Sequence, residues 1–196
     1  MTPEILFVRP GPLELIGDAL VDRLRCVFPQ NRFPIEWMPA NIDAAAFDLL
    51  TRKMPMLAIG FDKIDRSQSG SELQVDSTWT VLAVTQNKHS QKARLFGSDT
   101  APGLLTMIQA AGAALHRLVI PTVGTAFVET GEHLSVEGWK DPNLSVATLT
   151  VRVRVEIALA SILSGDGVTA PDLTTQTIAW TFGGATVNDI ITTGTI

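Results

Sequence analysis

Covalent cross-links can be ruled out first. Cys26 is the only cysteine, so no internal disulfide can form, and a cytoplasmic setting is the expectation. Tyrosine is missing altogether, although four tryptophans are present. Long apolar runs are also missing. The longest, 157–163, is interrupted by Ser161 and falls well short of the ~20 residues that cross a bilayer. Near the N-terminus the run 5–8 is too short for a secretory signal and soon meets Pro10-Gly11-Pro12. A soluble protein is predicted. Positive charge is in deficit, with 15 Lys and Arg against 20 Asp and Glu. A net charge of −5 argues against a sequence-independent grip on DNA phosphates, but not against a surface that DNA slides past.

The familiar catalytic signatures are missing too. No G-x-S-x-G elbow, phosphate-binding loop, H-E-x-x-H or G-x-G-x-x-G occurs. His89, His116 and His133 have no ligand-like spacing, and His116 falls near a helix end, where a cation complements the dipole. Arg25 beside Cys26 could lower the thiol pKa, but the end of an amphipathic helix favours a buried, inert cysteine. Ser164-Gly165-Asp166-Gly167 lacks the further carboxylates of a calcium loop and reads as a turn. Asn143-Leu144-Ser145 matches a glycosylation sequon, which carries no meaning for an unsecreted chain. No catalytic residue, metal ligand or cofactor site is therefore predicted.

What is present is alternation. In 144–160, Leu149, Val151, Val153, Val155, Ile157 and Leu159 occupy every second position, with Thr148, Thr150, Arg152, Arg154 and Glu156 between them. A period of two means a β-strand with one apolar and one charged face. A strand of that length spans roughly 56 Å, more than the roughly 40 Å width of a globule this size. It must bend, break at a bulge or project. A second long strand is predicted over 73–87, with Val75, Ser77, Trp79, Val81 and Ala83 on one face and Thr78, Thr80, Leu82 and Val84 on the other. Together the two suggest a ribbon whose ends reach beyond the core.

Around the strands, helices are predicted over 13–28, 41–50 and 102–118, the last with a stripe of Leu104, Leu105, Ile108, Ala111, Ala114, Leu115 and Leu118. Gly112 is placed at a close helix–sheet contact. Residues 33–38 and 54–62 read as short strands, 62–71 as a charged loop and 87–99 as a polar flap. One or two short strands are expected in 119–136 and a turn over 138–143. The order gives an α+β fold with a mainly antiparallel sheet and helices on one face. Two parts are expected, a domain over 1–163 and a Thr/Gly-rich extension over 164–196. The extension contains no Lys or Arg, and 177–182 is its one evident strand. It reads either as a segment that orders against another molecule or as a loose tail or added edge strand. Arg152, Arg154 and Glu156 are either a solvated sheet face or a contact surface for a neighbouring subunit. Trp139 and Trp180, with Phe182 beside the latter, are either interface anchors or a satellite cluster.

The sequence of elements also resembles a known family. An amphipathic helix (LELIGDALVDRLR) precedes an apolar strand after proline (MPMLAIGF). A long strand and polar loop (STWTVLAVTQNKHSQKAR) lead to a helix opened by Pro-Gly (PGLLTMIQAAGAALHRL). A late long strand (VATLTVRVRVEIAL) closes the pattern. This resembles the tail-terminator, or tail-completion, proteins of Mu-like contractile-tailed phages and prophages, over residues 13–160. The resemblance implies a structural virion protein, assembled in the host cytoplasm, that forms a ring expected to be hexameric. The ring would cap the head-proximal end of the tail tube, stop tube and sheath polymerisation and dock the head–tail connector, with DNA only passing through its lumen. The family is not enzymatic and needs no cofactor or membrane. The extension after Ser164 departs from the shorter family pattern. Rival readings are another tail or neck component, such as a tube or connector-adaptor subunit, and a small ligand-binding domain or enzyme using His116 and His133.

Overall fold

A computed structural model describes residues 6–7, 10–38, 54–66, 73–87, 90–98, 101–134, 143–157, 163–164, 175–182 and 185–192. The chain divides into two compact units, Pro10–Ile157 and a second made of Met1–Arg9 with Ala158–Ile196. The fold is α+β, with a curled, mostly antiparallel six-stranded sheet.

The chain starts in the second unit with β1 (Leu6–Phe7). Helix α1 (Pro12–Arg25) opens with proline in its first turn, where the missing N–H costs nothing. Glu14 accepts a 2.8 Å hydrogen bond from the Gly11 amide. The predicted helix ran to residue 28. Instead the amides of Val27 and Phe28 both turn back to the Leu24 carbonyl, and Phe28 stacks edge-on against Phe33. The short strand β2 (Ile35–Trp37) follows. The helix predicted over 41–50 lies outside the described residues.

Strand β3 (Met56–Arg66) continues through residues predicted as loop, because a bulge after Phe61 restarts its pairing with β4 (Leu73–Gln86). The expected polar flap contains helix α2 (Gln91–Phe96), whose N-terminus is capped by the Ser90 hydroxyl accepting from the Ala93 amide. A small hairpin, β5 (Gly97–Ser98) with β6 (Ala101–Pro102), leads onward. Gly97 has φ +91°, and a Cβ there would come within 2.6 Å of the Gly103 amide, so only glycine fits.

Helix α3 (Leu104–Leu115) is shorter than predicted at both ends, and it buries Leu104, Ala111, Ala114 and Leu115 of the predicted stripe. Met107 is fully buried, whereas Leu105 is exposed. Gly112 does face the sheet, but a Cβ would reach only ordinary contact with Leu149 at 3.9 Å. Strand β7 (Leu118–Ile120) and a tight turn lead into β8 (Gly124–Leu134), one long strand where short ones were expected. Strand β9 (Leu144–Ile157) completes the sheet, in the order β2-β3-β4-β9-β8-β7, with only β2–β3 parallel. In the second unit β10 (Leu163–Ser164) pairs with β1. Strand β11 (Thr175–Phe182) pairs with β12 (Ala185–Thr192), a partner strand that the Thr-rich sequence did not reveal.

Strands β4 and β9 pair in unbroken register from Leu73↔Ile157 to Gln86↔Leu144. The excess length is absorbed by curvature, with bulges placed in the flanking strands after Phe61 and after Val128. One sheet face, with Val75, Trp79, Val81, Leu149, Val151, Val153 and Val155, packs on Ile16, Leu20 and Leu24 of α1 and on Leu104, Met107, Ala111 and Leu115 of α3. Each such fully buried aliphatic side chain is worth about 1.5–3 kcal/mol. Arg23 donates to the Ala114 carbonyl, and Arg25 to the carbonyls of Phe33 and Ile35, which ties α1 to both of its neighbours. A second, smaller cluster on the opposite face gathers Met56, Ala58, Leu82, Val84 and Val146.

Ser77 is the polar residue inside the main core. Its hydroxyl donates to the Val153 carbonyl at 3.0 Å and accepts the Trp79 indole N–H at 3.2 Å. Ser77→Ala should therefore leave the buried indole N–H unsatisfied and lower stability by about 1–3 kcal/mol. Urea unfolding followed by tryptophan fluorescence checks this; an unshifted midpoint would show that the bond contributes nothing. The β7–β8 turn puts Thr122 at φ +64°, after Pro121, a position that favours glycine or asparagine. Thr122→Asn should raise stability by up to about 1 kcal/mol, measured the same way.

Candidate functional site

On the sheet face turned away from α1 and α3, the register orders side chains into bands. The smaller apolar cluster occupies one end. A threonine band follows, with Thr80 opposite Thr150 and Thr150 opposite Thr130. At the other end lies a charged band: Asp76 is opposite Arg154 on β9 and Asp65 on β3, and Arg152 is opposite Thr78 and Phe127.

The charged band is internally paired. Arg154 donates to both Asp76 oxygens, at 2.9 and 3.4 Å. Arg152 bridges Glu129 and, more distantly, Asp76 at 4.0 Å. The hydrogen bond that Arg154 donates to Asp76, and then the Asp76 charge, raise the Arg154 pKa further, so the guanidinium stays charged. Asp76 is only 14% exposed, whereas Arg154 is 60% exposed. Beside them lies an open cleft of about 370 Å³ lined by Asp76, Thr125, Phe127, Arg152 and Arg154.

Arg152 and Arg154 thus do share one surface, and Glu156 follows on the same strand face, opposite Gln74. Trp139 lies outside the described residues. Trp180 and Phe182 fall in β11 of the second unit, paired in register with Val187 and Ala185. Sequence reasoning missed Asp76, Glu129, Thr125 and Phe127. Asp76 was legible as a polar position of a strand, but nothing local announced that it would meet Arg154.

The other chemical candidates resolve differently. His116 Nδ1 accepts from the Val128 amide at 3.3 Å and its ring packs edge-on to Phe127, so it serves the β7–β8 junction. His133 is exposed on β8, and His89 is outside the described residues. Cys26 is exposed rather than buried, with its thiol donating to the Asp22 carbonyl at 3.4 Å, because it follows exposed Asp22 by four residues, on the side of α1 away from Leu20 and Leu24. Among the described residues no cluster of His, Cys, Asp or Glu is placed to hold a metal, and no helix is long and apolar enough to cross a membrane.

Neither protein-family models nor curated proteins give a match to the chain. The site must therefore be judged on its geometry.

That geometry includes two open sheet edges. Strand β2 pairs only with Leu57–Ile59 of β3, so among the described residues no strand lies beside 61–66. Strand β7 pairs with Gly124–Ala126 of β8, so among the described residues no strand lies beside 129–134 on the opposite side of the sheet. Both segments are exposed, and Phe61, Ile64 and Leu134 are among the large apolar side chains in solvent.

The ion pairs of the charged band are solvent-accessible, and such pairs stabilise little. A double-mutant cycle on Arg152→Ala and Glu129→Ala should give a coupling below about 1 kcal/mol that shrinks with added salt. A larger, salt-insensitive coupling would instead make the band a folding determinant.

Proposed function

We propose that this protein is a structural, ring-forming virion component that caps the head-proximal end of a phage or phage-derived contractile tail. In this reading it halts tube and sheath polymerisation and joins the tail to the head–tail connector, and the ring is a hexamer. DNA passes through the lumen without being held, which suits an acidic chain.

The observation that supports this reading is the pair of open edges on one sheet. Compact monomers shorten or cover such edges, because unpaired backbone groups recruit other chains. Here both outer strands run past their small neighbours β2 and β7, one edge at each side, as a subunit designed for neighbours on both flanks would require. The order of elements seen in the sequence agrees with the tail-terminator pattern, and the graded polar face offers a broad contact area rather than a single reacting centre.

Native mass spectrometry and negative-stain microscopy of the purified full chain should find a closed ring, and mixing it with tail tubes should decorate one tube end. Deleting the gene should give overlong or unjoined tails. A loss of tails altogether would point to a tube subunit. A strict monomer that ignores tubes would refute the reading.

A further inference from the structure

We infer that neighbouring copies join by pairing the β3 edge 61–66 of one with the β8 edge 129–134 of the next, extending the sheet from subunit to subunit. The inference deepens the ring reading and rests on it.

Three features of the two edges carry it. The first is direction. Strand β3 runs parallel to β9 across β4, whereas β8 runs antiparallel to β9. A copy displaced sideways therefore brings its β8 antiparallel to the first copy's β3, the easier pairing to form. Because the edges lie on opposite sides of the sheet, the contact is head-to-tail, and such contacts close into rings when the rotation allows.

The second feature is offset. The β3 edge lies beside the start of β4, and the β8 edge lies beside the start of β9, at the other end of the sheet. Projected onto β9, the two segments differ by about four residues, or ~13 Å. Each joint would add that stagger, and stagger between strands accompanies the tilt of closed sheets.

The third is chemical fit. In an antiparallel register with Lys63 opposite Glu132, the two neighbouring central pairs are acceptable as well. Asp65 meets Thr130 and Ile64 meets Gly131, whereas the outer positions come level along the strands on opposite faces, Phe61 opposite Trp79 and Arg66 opposite Val75 on the core face but Leu134 opposite Val146 on the other. No like charges oppose each other, although like pairs directly across a joint are destabilising. The faces agree for the three central pairs. Lys63 and Asp65 sit opposite Thr78 and Asp76 on the polar face, as Thr130 and Glu132 sit opposite Thr150 and Thr148. Ile64 and Gly131 both fall on the core face, opposite Ser77 and Leu149. Lys63 now bridges Asp65 at 2.7 Å on an exposed surface, which raises its pKa through that hydrogen bond and the Asp65 charge. An exposed bridge of this kind exchanges partners readily.

The test uses the full chain in a Cys26→Ser background. Lys63→Cys and Glu132→Cys in the same chain should, on mild oxidation, give a ladder of covalent multimers ending at the ring size, since cross-strand spacing falls within disulfide reach. Each single variant should give dimers at most. Independently, Lys63→Glu should lower the ring population at least tenfold by native mass, and adding Glu132→Lys should restore it. Rings that form normally but neither cross-link nor respond to the charge reversal would overturn this interface while leaving the ring reading intact. A chain that stays monomeric at all concentrations would overturn both.

Discussion

The β4–β9 ladder is the constraint on which the rest depends. These two strands pair with each other along their whole length, and each is flanked on its other side by a further strand. With the register set, alternation leaves no freedom. Val75, Trp79 and Val81 must share a face with Val151, Val153 and Val155, and Asp76 must share the other with Arg154. A slip of one residue would drive two arginines into the core. The Ser77 hydroxyl reinforces the register from within, since it links β4 to the Val153 carbonyl while holding the Trp79 indole. Helices α1 and α3 then cover the apolar face because nothing else can satisfy it.

Such a ladder explains why the charged band exists and why it does little for stability. Polar residues must fill the outward positions of two long strands, and opposite charges directly across the ladder are the least costly choice. Arg154 with Asp76 and Arg152 with Glu129 are therefore consequences of the register as much as causes of it. Their use lies in what they present to solvent: two guanidiniums held in defined positions beside Phe127, in an open cleft. Defined positions matter for recognition, where a flexible surface charge would lose entropy on contact.

What the sequence revealed follows the same logic. Alternation in Val151-Arg152-Val153-Arg154 and in Val75-Asp76-Ser77 exposed both central strands and their faces, since each residue's neighbours are two positions away in the chain. The full extent of the outer strands was hidden. In β3 the bulge after Phe61 breaks the period, and in β8 the residues Glu129 to His133 have no apolar set, so their strand character comes from pairing with β9. In α3 the predicted stripe differs at Leu105 and Met107, where packing against the sheet selects Met107 over the equally apolar Leu105. The arginine half of the charged site was legible, while Asp76 and Glu129 were not, because cross-strand partners lie far apart in sequence.

The open edges raise a physical tension whose resolution says how such a subunit could work. An exposed edge of flat, apolar strand would aggregate at once. Both edges here are roughened, with a bulge at the root of each and with Asp62, Lys63, Asp65 and Arg66 on one and Glu129 and Glu132 on the other. Two β3 edges meeting antiparallel about Ile64 would set Lys63 against Asp65 and Asp62 against Arg66, so that edge by itself does not repel a copy of itself. Two β8 edges would bring only acids and His133 together. Two β8 edges thus gain little from meeting, whereas β8 against β3 sets Glu132 opposite Lys63. Discrimination of this kind comes from penalising the wrong pairing rather than from strengthening the right one. The bulges and charges that keep a free chain from aggregating would then be the same features that allow one partner, in one register, on each side.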